Sequence, residues 1–276
     1  MHVIEKIKQQ AEKGHLSQTN HWASAYFHFG GWTATHMLIK AGLKSSASMS
    51  QHLHAGSNYG RAQGWNLDIM SAAAALDPTF RDSIRGYMEQ VIDGLERTQS
   101  CNGFFLSGNF NKGWTAELNG EDVLVEATQV YESTILLNGL RAVRNTIFGT
   151  TDVGRTASIM AMTDIQTDAI FTYGAPEGVP YSTMYTRFII DGMSPSCEQP
   201  LGFNADPQGN PYYDTVYATG AMGLASELTP QRQQYLREMY GVQSNQEVID
   251  ILTSNQNFTI NLPKNAQTLR ALQDTL

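Results

Sequence analysis

Cysteine is nearly absent from this 276-residue chain, which carries only Cys101 and Cys197. Two cysteines pair only if the fold brings them together; they assign no redox compartment, and they exclude a cysteine-rich zinc module. Charge is sparse as well: Asp, Glu, Lys and Arg make up 16% of residues, with a formal net charge of −8. That balance argues against nucleic acid or an anionic membrane surface as the main partner. No stretch approaches the ~18 consecutive apolar residues of a membrane span. The opening MHVIEKIKQQAEKGH reads as a polar amphipathic helix within 1–15, not as a signal peptide. A Gly-x-Ser-x-Gly elbow, a phosphate loop and a dinucleotide fingerprint are all missing, so no cofactor is expected. All seven histidines fall in the first 54 residues, and His21, His28 and His36 are seven and eight apart. Helical metal ligation wants histidines four apart, so no metal site is expected.

What is present is a globular composition, 41% hydrophobic with 24 Gly and nine Pro. It is read as one helical domain over 1–276, long enough for a sizeable core. The chain is organised around Tyr59–Asp77, YGRAQGWNLDIMSAAAALD, and its partner Phe80–Arg97. Trp65, Asp68, Ala72 and Ala75 recur at three- and four-residue steps and share one helical stripe. Asp77-Pro78 breaks the run, because the residue before proline is biased away from helical angles. Asp77 then caps the next helix, with Pro78 tolerated in its first turn. That helix places Ile84, Tyr87, Met88, Val91, Ile92 and Leu95 on one face, which predicts an antiparallel helical hairpin.

Further helices are predicted over 3–13, Thr19–Leu43, Val123–Ile147, Gly154–Tyr173, Tyr213–Glu227 and Gln231–Tyr240, with weaker ones at Glu247–Leu252 and Ala266–Leu276. Asn102–Trp114 alternates glycine, asparagine and aromatics, as in a short hairpin or an ordered loop. Residues 174–212 form a long Gly- and Pro-rich excursion with one helical turn expected near Tyr181–Ile190. Residues 255–276 make a carboxy-terminal extension whose first part, Asn255–Lys264, reads as extended. The fold class expected is all-α: antiparallel helical hairpins in an α/α-toroid-like arrangement, closed or incomplete, with long Gly, Pro and aromatic loops.

Gly60-Arg61-Ala62-Gln63-Gly64-Trp65 followed by a small-residue helix resembles the Arg-Gly-x-x-Trp helix start of α/α-toroid glycan enzymes such as unsaturated glucuronyl hydrolases. Asp214-Thr215 followed by YATGAMGLA is similar to the Asp-Ser-Ser-Ala helix of that group. The resemblance covers about 40 residues. It implies a toroid with Arg61, Trp65 and Asp214 near its mouth. The family's catalytic aspartates precede the Arg-Trp motif, whereas this chain has no aspartate before Asp68. Its hydrolytic chemistry is therefore not carried over.

The residue types nonetheless suit a sugar. Flat aromatic platforms and planar polar partners are available in Tyr59, Arg61, Gln63, Trp65 and Trp114, with Asn58 beside them, and a bidentate arginine matches a uronic carboxylate. Asp68, Tyr59 and Asp214 are the candidates for acid/base work, which needs groups at a controlled separation. Two readings follow. One is binding or cleavage of an acidic oligosaccharide at the mouth of a helical toroid. The other is a non-catalytic module of a larger assembly such as a virion, appendage or surface protein, with other protein subunits as partners. The second is motivated by a count of eight or nine helices, where a ring of six hairpins needs about twelve.

Overall fold

A computed structural model describes residues 61–99, 103, 105, 115–118, 121–128, 130–173, 185–191, 194–195, 202–204, 211–254 and 258–276. The helices expected within 1–43 lie outside these residues. The described framework is helical, as the all-α reading expects. Eight α-helices are present among the described residues: α1 (Arg61–Leu76), α2 (Pro78–Thr98), α3 (Val130–Val143), α4 (Val153–Tyr173), α5 (Pro211–Leu224), α6 (Pro230–Tyr240), α7 (Asn245–Ser254) and α8 (Phe258–Gln273). The chain divides into two compact units. The first comprises Met1–Thr98, Ser107–Asn109 and Ile135–Ile159; the second comprises Gln99–Leu106, Phe110–Thr134 and Met160–Leu276.

In the first unit, α1 and α2 form the expected hairpin. Asp77 breaks the run, and its Oδ1 accepts from the backbone N–H of Thr79 (2.9 Å) and of Phe80 (3.2 Å), capping α2 with Pro78 in the first helical turn. Of the expected face, Ile84, Met88, Val91, Ile92 and Leu95 are buried and Tyr87 is half-buried; Phe80 is buried with them. The small residues of α1 serve close packing. A Cβ added at Gly64 would lie 2.4 Å from the Ile135 carbonyl oxygen, and one added at Gly139 would lie 2.4 Å from that of Gly64. The backbones of α1 and α3 therefore touch at a glycine–glycine crossing. Ala73 and Ala74 are buried a turn or more further on. Replacing either by leucine is expected to destabilise by about 1–3 kcal/mol through overpacking, read as a lower urea midpoint.

After α3 the chain passes through a π-helical turn, Arg144–Phe148, with Ile147 and Phe148 buried. Arg85 of α2 lies over the Phe148 ring, 5.5 Å from its centroid. The same guanidinium donates from Nη2 to Asp152 Oδ2 (2.7 Å), while Asp152 Oδ1 accepts from the Arg155 backbone N–H (3.0 Å) at the start of α4. Arg155 pairs in turn with Asp93 of α2.

The second unit is built on α5 and α8, its most extensive helix pair among the described residues. A Cβ at Gly223 would stand 2.2 Å from the Thr268 backbone nitrogen, so these helices also cross at backbone distance. Thr229 caps α6 by accepting from the Arg232 N–H (3.3 Å), with Pro230 at the first helical position, repeating the Asp77-Pro78 device.

Among the described residues, five short segments add an antiparallel sheet to this unit: β1 (Thr115–Leu118), β2 (Glu121–Thr128), β3 (Tyr185–Asp191), β4 (Ser194–Pro195) and β5 (Gly202–Asn204). The strands run in the order β1-β2-β3-β4, and β5 pairs β3. Leu118 pairs with Glu121 at the β1–β2 turn, Val125 with Ile189 between β2 and β3, and Tyr185 with Asn204 between β3 and β5. This corrects three expectations. The helix expected from Val123 starts at Val130, because Val123, Val125 and Thr128 are β-branched residues that lose rotamer freedom in a helix and a pairing partner is available. The turn expected near Tyr181–Ile190 is largely strand β3, for the same reason at Thr186, Ile189 and Ile190. The segment expected as extended, Asn255–Lys264, is helical from Phe258: α8 continues through Pro263, which removes one backbone hydrogen bond without ending the helix.

Candidate functional site

Of the residues singled out from the sequence, Asn58, Tyr59 and Trp114 lie outside the described residues. Arg61 and Asp214 are described by backbone alone. Arg61 is the first residue of α1, and Asp214 lies near the start of α5, in the other unit. Gln63, Trp65 and Asp68 have described side chains, all on α1.

Helix α1 is closed in on most of its circumference. Gln63, Gly64, Asn66, Leu67, Ile69, Met70, Ser71, Ala73 and Ala74 are buried. Ahead of the last residue, Leu76, the accessible positions are Trp65, Asp68 and Ala72, each half-buried, and Ala75, which is exposed. These follow the helical repeat, so α1 offers one narrow stripe with an indole and a carboxylate one turn apart. Gln63 falls off that stripe. It is 3% exposed and already interacts within the chain. Trp65 and Asp68 also interact within the protein.

Polar groups missed in the sequence lie deeper. In the second unit Arg232 is the one buried charged side chain among the described residues. Its Nε donates to Asp168 Oδ1 (2.9 Å), and Nη1 to Asp164 Oδ1 (3.3 Å) and the Glu227 carbonyl (2.6 Å). Asp164 also accepts from the Ser226 N–H (2.8 Å) and hydroxyl (2.5 Å). The Asp164/Asp168 spacing of four on α4 was the sequence signal for this clamp, since such a pair presents two carboxylates on one helix face. A second feature is a band of buried neutral polar residues: Thr163, Gln166, Thr167, Thr219, Asn265 and Thr268. Gln166 is fully buried with both amide atoms unpartnered, and Asn265 Oδ1 is unpartnered too. Each such group costs about 1–3 kcal/mol of stability when left unsatisfied. In the first unit the Tyr87 hydroxyl lacks a partner as well, and burial raises its pKa well above the usual phenol range.

Among the described residues no group of three or more His, Cys, Asp or Glu side chains is placed to hold a metal ion; the histidines lie outside them. No described helix is long and apolar enough to cross a membrane. Comparison of the chain with protein-family models, curated proteins and solved structures finds no match. The candidate site is therefore defined by its own residues.

Proposed function

We propose that the protein binds an acidic oligosaccharide along the accessible stripe of α1, with Trp65 as the stacking platform and Asp68 as an acceptor for sugar hydroxyls. The observation that carries this reading is the exposure pattern of the helix. An indole and a carboxylate are kept accessible on a helix whose other faces are buried. A sugar ring presents one apolar face to an aromatic and its hydroxyls to a carboxylate. Arg61 begins the same helix one turn before Trp65, and a guanidinium there supplies the planar two-point contact for a uronic carboxylate. Asp68 is the candidate acid/base group on this stripe for cleavage of the bound chain.

The test is a glycan array on the purified protein, followed by affinities for the best acidic ligand. Trp65→Ala is expected to weaken binding by about 1.5–3 kcal/mol, the range for burying a large apolar side chain against a partner. Arg61→Lys is expected to keep the wild-type melting temperature and weaken binding by about 1–3 kcal/mol. An array on which no acidic glycan is retained, with Arg61→Lys melting below wild type, would overturn the reading.

The second reading, a non-catalytic module within a larger assembly, draws on the other half of the stripe. Ala72 and Ala75 give an accessible small-residue strip on which a helix of another subunit fits closely. Concentration-dependent association, lost in Ala75→Glu while glycan binding is unchanged, would support it.

A further inference from the structure

The interior of the second unit contains an amide that its own packing does not use. Gln166 of α4 is 0% exposed, and neither Oε1 nor Nε2 has a hydrogen-bond partner. Asn265 Oδ1 of the same band is also unpartnered, whereas three threonine hydroxyls there are bonded. Thr167 Oγ1 donates to the Ala221 carbonyl (3.4 Å), Thr268 Oγ1 donates to the Thr219 carbonyl (2.6 Å), and the Thr219 and Tyr240 hydroxyls share a hydrogen bond of 2.7 Å. Three directions around α4 are accounted for: Thr167 faces α5, Asp164 and Asp168 meet Arg232, and Ile165 and Ala169 lie against Gly103. At about 100° per residue, Gln166 points along a fourth direction, flanked one turn away on either side by Met162 and Ile170, both buried.

Buried polar groups in folded proteins nearly always find partners. A full-length amide kept without one, amid threonines that are all bonded, marks a position held for something other than packing. We propose that Gln166 is the recognition amide of a ligand site in the second unit, and that the ligand is a neutral polyhydroxylated molecule of the saccharide class. A carboxamide presents a donor and an acceptor side by side. Adjacent sugar hydroxyls, each able to give and to take a hydrogen bond, match that pair. Among the described residues no uncommitted buried cation is present to compensate an anion at this point. Arg232 is the only buried charged side chain among the described residues, and its nitrogens are committed to Asp164, Asp168 and the Glu227 carbonyl. A buried anion would stand uncompensated. The amide atoms are sealed from solvent, so the ligand is admitted only when the Met162–Gln166–Ile170 face separates from its packing. The observed affinity then includes the cost of that opening. This site lies in the other unit from Trp65 and does not rest on the reading given for α1.

The experiment uses Gln166→Met, which keeps the volume and removes the amide, with Gln166→Leu as a second variant. Both are expected to melt above wild type without ligand, by about 2–4 °C, because an unsatisfied buried group is gone. Glucose, xylose, N-acetylglucosamine and their β-linked disaccharides are then titrated in thermal melts. At least one is expected to raise the wild-type melting temperature, and that shift is expected to vanish in both variants. The proposal is overturned if no probe shifts the wild type, or if the variants shift as the wild type does. It is equally overturned if both variants melt below wild type, since the amide is then a structural partner.

Discussion

Gly223→Ala is expected to destabilise the protein by about 3 kcal/mol or more, the upper end of the overpacking range, while the same substitution at Gly86 stabilises it. The contrast lies in what the new methyl group meets. At Gly223 it would stand 2.2 Å from the Thr268 backbone nitrogen and 2.4 Å from Thr268 Oγ1, and neither atom is the far end of a flexible side chain. Thr268 is held in place by its hydroxyl bond to the Thr219 carbonyl, so α5 and α8 must move apart as bodies. That separation opens the most extensive helix pair of the second unit among the described residues. At Gly86, in the middle of α2, nothing lies within 4 Å of the added Cβ. There alanine only removes backbone freedom from the unfolded chain, a gain of about 0.5–1 kcal/mol. Gly64→Ala is expected to behave like Gly223→Ala, because its Cβ would meet the Ile135 carbonyl oxygen at 2.4 Å. Urea melts of the three variants check the set. A Gly223→Ala midpoint equal to wild type would show that the helices do not cross at backbone distance.

Arg232→Met is expected to cost about 3–5 kcal/mol, the range for removing one partner of a buried ion pair. The side chain is 4% exposed and holds two carboxylates of α4 together with the Glu227 carbonyl ahead of α6. Removing it leaves Asp164 without its cation and the carbonyl without its donor. Asp168 is 52% exposed, so it regains water, and the loss is expected toward the lower end of the range. Arg232→Lys keeps the charge but cannot form the fork that reaches these acceptors together, so an intermediate loss is expected. Asp168→Asn is expected to cost less than about 1 kcal/mol, since an exposed pair contributes little. The order Arg232→Met, Arg232→Lys, Asp168→Asn in melting temperature, lowest first, checks the argument. Equal melting of the first and last would place the clamp at the surface rather than in the core.

Local signals in the sequence hold where chemistry acts within one turn. Asp77 caps α2, Thr229 caps α6, and the apolar face of α2 is the face that packs, because caps and periodicity depend on near neighbours alone. The stripe Trp65, Asp68, Ala72 and Ala75 was legible for the same reason, and it is the side of α1 that remains accessible. Strand β2 was not legible. Val123, Leu124 and Val125 suit a helix or a strand over so short a run, and pairing with β1 and with the distant β3 decides between them. The role of Gln63 was invisible too: next to Arg61 and Trp65 it looked like a binding residue, and only the packing around α1 buries it.

By itself, then, the sequence determined most of the described helices, the hairpin at Asp77-Pro78 and which residues of α1 share a stripe, all set by capping and by a 3.6-residue period. The tertiary structure alone decided three other things: that Gly64 meets Gly139 and Gly223 meets Thr268, that Arg232 is clamped by Asp164 and Asp168, and that Gln166 is buried with its amide unpaired. Each depends on residues brought together from distant parts of the chain. Contact between them is settled by how whole helices dock, and no local propensity encodes it.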